Sequence, residues 1–183
     1  MGFYPPNTLV HEARRRGVAV LPPDINRSEK HCTVEEGRIR LSLSLVRELG
    51  ETDVEEILAA RASRPFTSLQ DLCRRTRLTR EGLTYLILAG AFGAALGTYL
   101  TGSLDRFAPN RRRLLFSLEE ALRHREQPLT PGGSGPAQQR LDLAPRGPRP
   151  EVEDFSPDQR LLLEYEALGL TTQRHILTLL EPE

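Results

Sequence analysis

The sequence predicts a mainly α fold with a small β element near residues 18–41, and three features point to it. Apolar residues recur at spacings of three and four through residues 43–122 and again beyond residue 157. Those periodic stretches are short and are interrupted at Gly50, Gly90 and Gly169, so they read as several brief helices rather than one long one. Only residues 18–41 combine extended, β-favouring stretches with turn residues.

Taken in order, the first helix is expected within residues 3–17. Pro5 and Pro6 precede Asn7 and Thr8, both N-cap residue types. Leu9, Val10 and Ala13 lie close to one face, and Gly17 supplies the stop. Arg14, Arg15 and Arg16 fall in the last turn, where the helix dipole favours cations. Val18 to Leu21 reads as a short extended stretch ended by Pro22-Pro23. Cys32 to Val34 and Arg38 to Leu41 flank Glu35-Glu36-Gly37, a hairpin turn. Four short helices follow over residues 43–90: one carrying Leu43, Leu45, Val46 and Leu49; one with Val54, Ile57 and Leu58; one opening after Ser68; and one after Thr79 that stops at Gly90. Asn110 caps a helix bearing Leu114, Leu115, Leu118 and Leu122. Ser156-Pro157, a cap followed by proline at the first position, opens another with Leu161, Leu162, Tyr165 and Leu168 on one side. A last helix is expected through Ile176, Leu177 and Leu180.

Composition narrows the function. Aromatic residues are 5% and tryptophan is absent, which argues against a platform that stacks single-stranded bases. The net charge is zero but segregated: 19 basic against 15 acidic residues through residue 124, then 6 against 10. All but Lys30 of the basic residues are arginine. A basic front with an acidic extension suits a phosphate-facing module. Cys32 and Cys73 make no disulfide framework, no signal peptide opens the chain, and no apolar run reaches the roughly 18 residues of a membrane span. A cytoplasmic protein without a membrane partner is therefore expected.

Residues 43–90 hold two pairs of helices joined by tight connections at Glu48-Leu49-Gly50 and Arg77-Leu78-Thr79, a tandem helix-hairpin-helix bundle. The hairpin and the start of the second helix leave backbone N–H groups without internal partners. With the dipole behind them, these donors suit a DNA phosphate and read no bases. The candidate DNA-binding residues are accordingly Leu49, Gly50, Arg74, Arg75, Arg77, Leu78, Thr79 and Arg80. On spacing alone, the same residues serve equally as packed helical hairpins with solvated arginines.

The order of motifs resembles the C-terminal part of the bacterial DNA polymerase III alpha subunit family. Met1 to Pro5 followed by Ala13 to Val18 looks like the end of its fingers region, and Pro23 to Ser28 like the next turn. Leu45 to Arg61 and Pro65 to Leu72 resemble its tandem helix-hairpin-helix region. Ala89 to Phe92, Arg111 to Leu115 and Phe155 to Leu170 continue the match. Glu48 and Arg77 replace usual glycines, and Gly93 stands for a usual Asp. The resemblance implies that the palm, with its metal-binding aspartates, lies upstream. No catalytic residue, cofactor or metal site is then expected here, although the parent family is a DNA-directed DNA polymerase and nucleotidyltransferase. It implies segments at 1–41 (end of the fingers), 42–124 (helix-hairpin-helix domain), 125–150 (linker) and 151–183 (C-terminal helical segment), with duplex DNA and other replisome subunits as partners.

Residues 128–150 contain ten Pro or Gly among 23 positions and few apolar side chains, the composition of a disordered linker. Within it, Gln138-Gln139-Arg140-Leu141-Asp142-Leu143 looks like the short bacterial sliding-clamp-binding peptide. Gln138, Leu141, Asp142 and Leu143 are its candidate contacts, although Ala144 stands where an aromatic usually follows. The alternatives are a docking peptide, with the helices as scaffold, and a plain spacer. His31-Cys32 lacks the paired spacing of a zinc site, and Gly132 to Gly135 lacks the Lys-Ser/Thr of a phosphate loop.

Overall fold

The computed structural model describes residues 5–93, 110–125 and 152–180, in mainly α architecture with one small sheet. Helix α1 (Pro6–Arg15) starts one residue before the expected caps: Pro5 is the N-cap and Pro6 occupies the first helical position. Asn7 lies inside the first turn, its side chain accepting from the Thr8 N–H at 2.8 Å. Proline fits there because its missing N–H would be unpaired anyway and its φ is already helical.

The small β element forms as expected. Strand β1 (Val20–Leu21) runs parallel to β3 (Arg38–Arg40), and β2 (Thr33–Glu35) pairs antiparallel on the other side. Glu36 and Gly37 both take positive φ, 50° and 76°, the primed turn whose twist matches a two-residue hairpin. Arg40 clamps the sheet: its guanidinium donates to both Glu35 carboxylate oxygens at 3.2 and 3.0 Å and to the Pro22 carbonyl at 2.8 Å. This bidentate pairing holds the Glu35 carboxyl below its ordinary pKa.

One expected helix is absent. The run Leu43-Ser44-Leu45 makes a single 3-10 turn, and Glu48 then takes a left-handed φ of 61° that ends any helical continuation. Leu43 and Val46 are nevertheless buried, so the apolar pattern reports burial and not helix. Helices α2 (Glu51–Ser63), α3 (Leu69–Arg75) and α4 (Arg80–Leu88) follow as expected. Gly90 closes α4 at φ 78°, with the Ala91 N–H returning to the Leu86 carbonyl at 3.0 Å. Helix α5 (Arg111–Arg125) opens on Asn110, whose side chain accepts from the Arg113 N–H, and packs across α3 and α4. Helix α6 (Pro157–Leu168) opens on the reciprocal Ser156–Gln159 capping box, packs on α4, and ends at left-handed Gly169. The last element, Ile176–Leu180, is a 3-10 turn and not an α-helix.

Buried side chains from all three described segments share one core, centred on Phe66, Ile57, Leu72, Leu83, Leu86 and Phe92. Leu9, Leu162 and Tyr165, read as apolar-face residues, are exposed instead. Among the described residues, no helix is long and apolar enough to cross a membrane.

Phe66 is fully buried and held at both backbone polar groups by Asn26: its N–H donates to Oδ1 at 2.8 Å and its carbonyl accepts from Nδ2 at 2.9 Å. Phe66→Ala should lower unfolding free energy by about 3–5 kcal/mol in urea denaturation. A loss under about 1 kcal/mol would show that the core does not depend on this ring.

Candidate nucleic-acid interface

The two hairpins, distant in sequence, meet in space. The point of contact is Gly82, in the first turn of α4. A Cβ placed there would lie 3.1 Å from Leu49 Cδ2, 3.3 Å from the Glu48 carbonyl and 3.3 Å from Thr79 Oγ1. The first connection therefore rests against the second, and the absence of a side chain at residue 82 permits it.

Their backbone donors differ. In the first hairpin the Gly50 N–H donates to Asp53 Oδ2 at 2.9 Å, and the Leu49 N–H to the Val46 carbonyl at 3.3 Å. Both amides expected to face a phosphate are thus engaged. The first turn of α2 is also acidic, with Glu51 and Asp53, and Lys30 pairs with Glu51 and Glu55. Gly50 has an ordinary extended φ of −75°; the position that needs glycine is residue 48, which carries glutamate.

In the second hairpin Leu78 is fully buried and its carbonyl accepts from Arg125 Nη1 at 2.8 Å, so α5 seals the connection from behind. The Arg77 N–H donates to Glu56 Oε1 at 2.9 Å, tying the turn to α2. Thr79 caps α4, its Oγ1 accepting from the Gly82 N–H at 3.0 Å. Thr79, Arg80 and Glu81 are exposed, and as the cap and first two positions of α4 their N–H groups have no partner within the helix.

The arginines separate into two groups. Arg74 and Arg77 are exposed, and no hydrogen bond or ion pair engages their guanidinium groups among the described residues. Arg80 is exposed and pairs with Glu119 of α5. Arg75 is different and leaves the candidate set. Its guanidinium donates to the Ala60 and Arg64 carbonyls and to Ser63 and Asp71, and it stacks 4.6 Å from the Phe66 ring centroid. The last turn of α3 points position 75 inward at the end of α2 and the residues after it, while position 74 points out; Arg77, beyond the helix, is exposed as well. Arg47, not singled out from the sequence, stands beside the first hairpin with its guanidinium 5.7 Å over the Tyr85 ring of α4. Its only sequence signal was adjacency to Glu48. Gln138, Leu141, Asp142 and Leu143 lie outside the described residues.

Two stability measurements follow from this division. Arg75→Ala should destabilise the fold by about 2–3 kcal/mol through the lost charge-assisted bonds, and Arg74→Ala by less than about 0.5 kcal/mol. Equal effects would erase the distinction between them. Glu48→Gly should raise stability by about 0.5–1 kcal/mol, because glycine takes a positive φ without the Cβ clash. A lower urea midpoint would contradict the strain at residue 48.

Comparison with known proteins agrees with this geometry. The family described as helix-hairpin-helix motif matches residues 17–98. The error-prone DNA polymerase of Symbiobacterium thermophilum is 38% identical over 97% of this chain, and that of Burkholderia pseudomallei is 36% identical over all of it. The error-prone DNA polymerase 2 of Rhizobium meliloti is 34% identical over 97%. This chain spans only 19%, 16% and 16% of the respective relatives' lengths. Its helix-hairpin-helix motif, and a similarity that runs nearly from end to end, place the chain as a segment belonging to the bacterial DNA polymerase III alpha subunit family.

Proposed function

We propose that this segment binds duplex DNA through its phosphates, without sequence preference, on behalf of a polymerase. The observation that carries the reading is the second hairpin. The N–H groups of Thr79, Arg80 and Glu81, which have no partner within the helix, lie at the positive end of α4, within a few residues of Arg74 and Arg77, whose guanidinium groups no hydrogen bond or ion pair engages among the described residues. Backbone donors and the helix dipole fix one phosphate, and arginines reach its neighbours. Nothing in this set presents a base-reading pattern, so the contact positions the segment on DNA and leaves sequence unread. The first hairpin supports the second mechanically, since its own amides serve Asp53 and Val46. Arg80 joins the set when its exposed pair with Glu119 opens, an exchange that costs little at a solvated surface.

A fluorescence-anisotropy titration against a short duplex and the matching single strand tests this. The double variant Arg74→Glu, Arg77→Glu should weaken duplex binding at least tenfold and flatten the log–log salt dependence by about two phosphate contacts. Unchanged affinity would remove the second hairpin from the interface.

A second role rests on the linker sequence. Gln138, Leu141, Asp142 and Leu143 have the spacing of the sliding-clamp peptide, so the same chain docks a clamp while the hairpins hold DNA. Deleting residues 138–143 should abolish clamp capture and leave duplex affinity intact; retained capture would assign the linker a spacer role.

A further inference from the structure

The first hairpin has committed its amides internally, yet a cation stands at its entrance. Arg47 immediately precedes Glu48-Leu49-Gly50 and is exposed. Its guanidinium faces the Tyr85 ring of α4 at 5.7 Å from the centroid, and among the described residues no hydrogen bond or ion pair engages it. A cation–π contact at a solvated position is weak, and it leaves the guanidinium N–H groups open to oxygen acceptors. Lys30, which reaches the first turn of α2, is by contrast already held by Glu51 and Glu55.

The position of Arg47 is fixed from two sides. Its backbone N–H donates to the Ala167 carbonyl near the end of α6 at 2.9 Å. The chain then turns through the left-handed φ of Glu48, and the Glu48 carbonyl and the Leu49 side chain close on Gly82. Tyr85 lies three residues after Gly82 and so on the same face of α4. Helical side chains lean toward the N-terminus of their helix, which carries the Tyr85 ring, and the guanidinium over it, back toward the first turn. From Thr79 to Tyr85 the helix rises about 9 Å, and successive phosphates of one strand advance about 3.4 Å along the duplex axis. Arg47 is therefore within a few phosphates' reach of the donors at the start of α4.

The carboxylates around this hairpin leave Arg47 uncompensated. Asp53 accepts from the Gly50 N–H, and Glu51 is paired with Lys30. Glu48 is exposed beside Arg47 and forms no ion pair with it.

We infer that Arg47 is a phosphate ligand of the duplex site, so that the footprint crosses the start of α4 from the second hairpin to the first. This rests on the duplex-binding reading and adds to it: the first hairpin engages DNA through a side chain because its backbone donors are taken. A guanidinium fork matches a phosphate's oxygens, and Tyr85 is the positioning residue that supports it.

The test is fluorescence anisotropy of the full chain with a short blunt duplex over a range of salt concentrations. Arg47→Gln should weaken binding about fivefold at low salt and flatten the log–log salt slope by about 0.9, the share of one phosphate. Arg47→Lys, which keeps the charge, should restore the slope. Loss of binding in Arg74→Glu, Arg77→Glu alongside unchanged affinity and slope in Arg47→Gln would overturn the Arg47 contact and leave the second hairpin standing. A lowered urea midpoint with an unchanged slope would make Arg47 a purely structural residue, and a slope that Arg47→Lys fails to restore would equally overturn the contact. No duplex binding by the unaltered chain would sink both readings.

Discussion

The fold depends on a short polar turn at residues 24–28, which fastens together the sheet, α2, the backbone at Phe66 and the end of α4. Ser28 Oγ accepts from the Asp24 N–H at 2.9 Å and donates to the Leu41 carbonyl at 2.6 Å, fastening the turn to the strand that leads into the hairpins. Asn26 grips the backbone of Phe66 on both sides, and Arg61 of α2 donates to the Ser28 carbonyl at 2.6 Å. The Ile25 N–H reaches the Ala91 carbonyl, just past α4, at 3.0 Å. Asp24, Ile25 and Ser28 are buried, so the two Ser28 hydroxyl bonds are shielded from water and their loss would leave polar groups unpaired in the core. A turn of five residues thus sets the relation between β3, α2, the 60–66 connection and the end of α4.

That scaffold explains the unequal hairpins. Asp53 and Glu56 of α2 each place a carboxylate on a hairpin N–H, one in each connection. Carboxylate and phosphate oxygens compete for the same kind of donor, so the donors these side chains hold are unavailable to DNA. What remains exposed is the start of α4 together with the outward arginines. The Gly82 contact then transmits the position of one connection to the other, because neither can move without displacing Leu49.

Much of this was legible in sequence where a local rule decides the structure. The Glu36-Gly37 turn, the Asn110 cap and the Ser156–Gln159 capping box involve residues within a few positions of each other. The helices α2, α3 and α4 and the helix-hairpin-helix arrangement also followed from spacing and turns. Other features escaped because distant partners settle them. Leu43 to Leu49 has a helical apolar pattern, yet Leu43 is bonded to the Glu29 carbonyl and Arg47 to the Ala167 carbonyl, which hold the segment in turns. Arg74 and Arg75 are adjacent and chemically identical, and only the position of the 60–66 connection separates them. Leu162 and Tyr165 read as a buried stripe but lie on the side of α6 that turns from the core.

The left-handed backbone at Glu48 has a consequence for how such a segment changes over generations. Glutamate codons become glycine codons by a single base substitution at the second position. Residue 48 is exposed, so the exchange disturbs no packing, while it removes a negative charge beside the hairpins. A single base change would therefore both relieve the left-handed backbone and lower the negative charge beside the hairpins, without altering the interior.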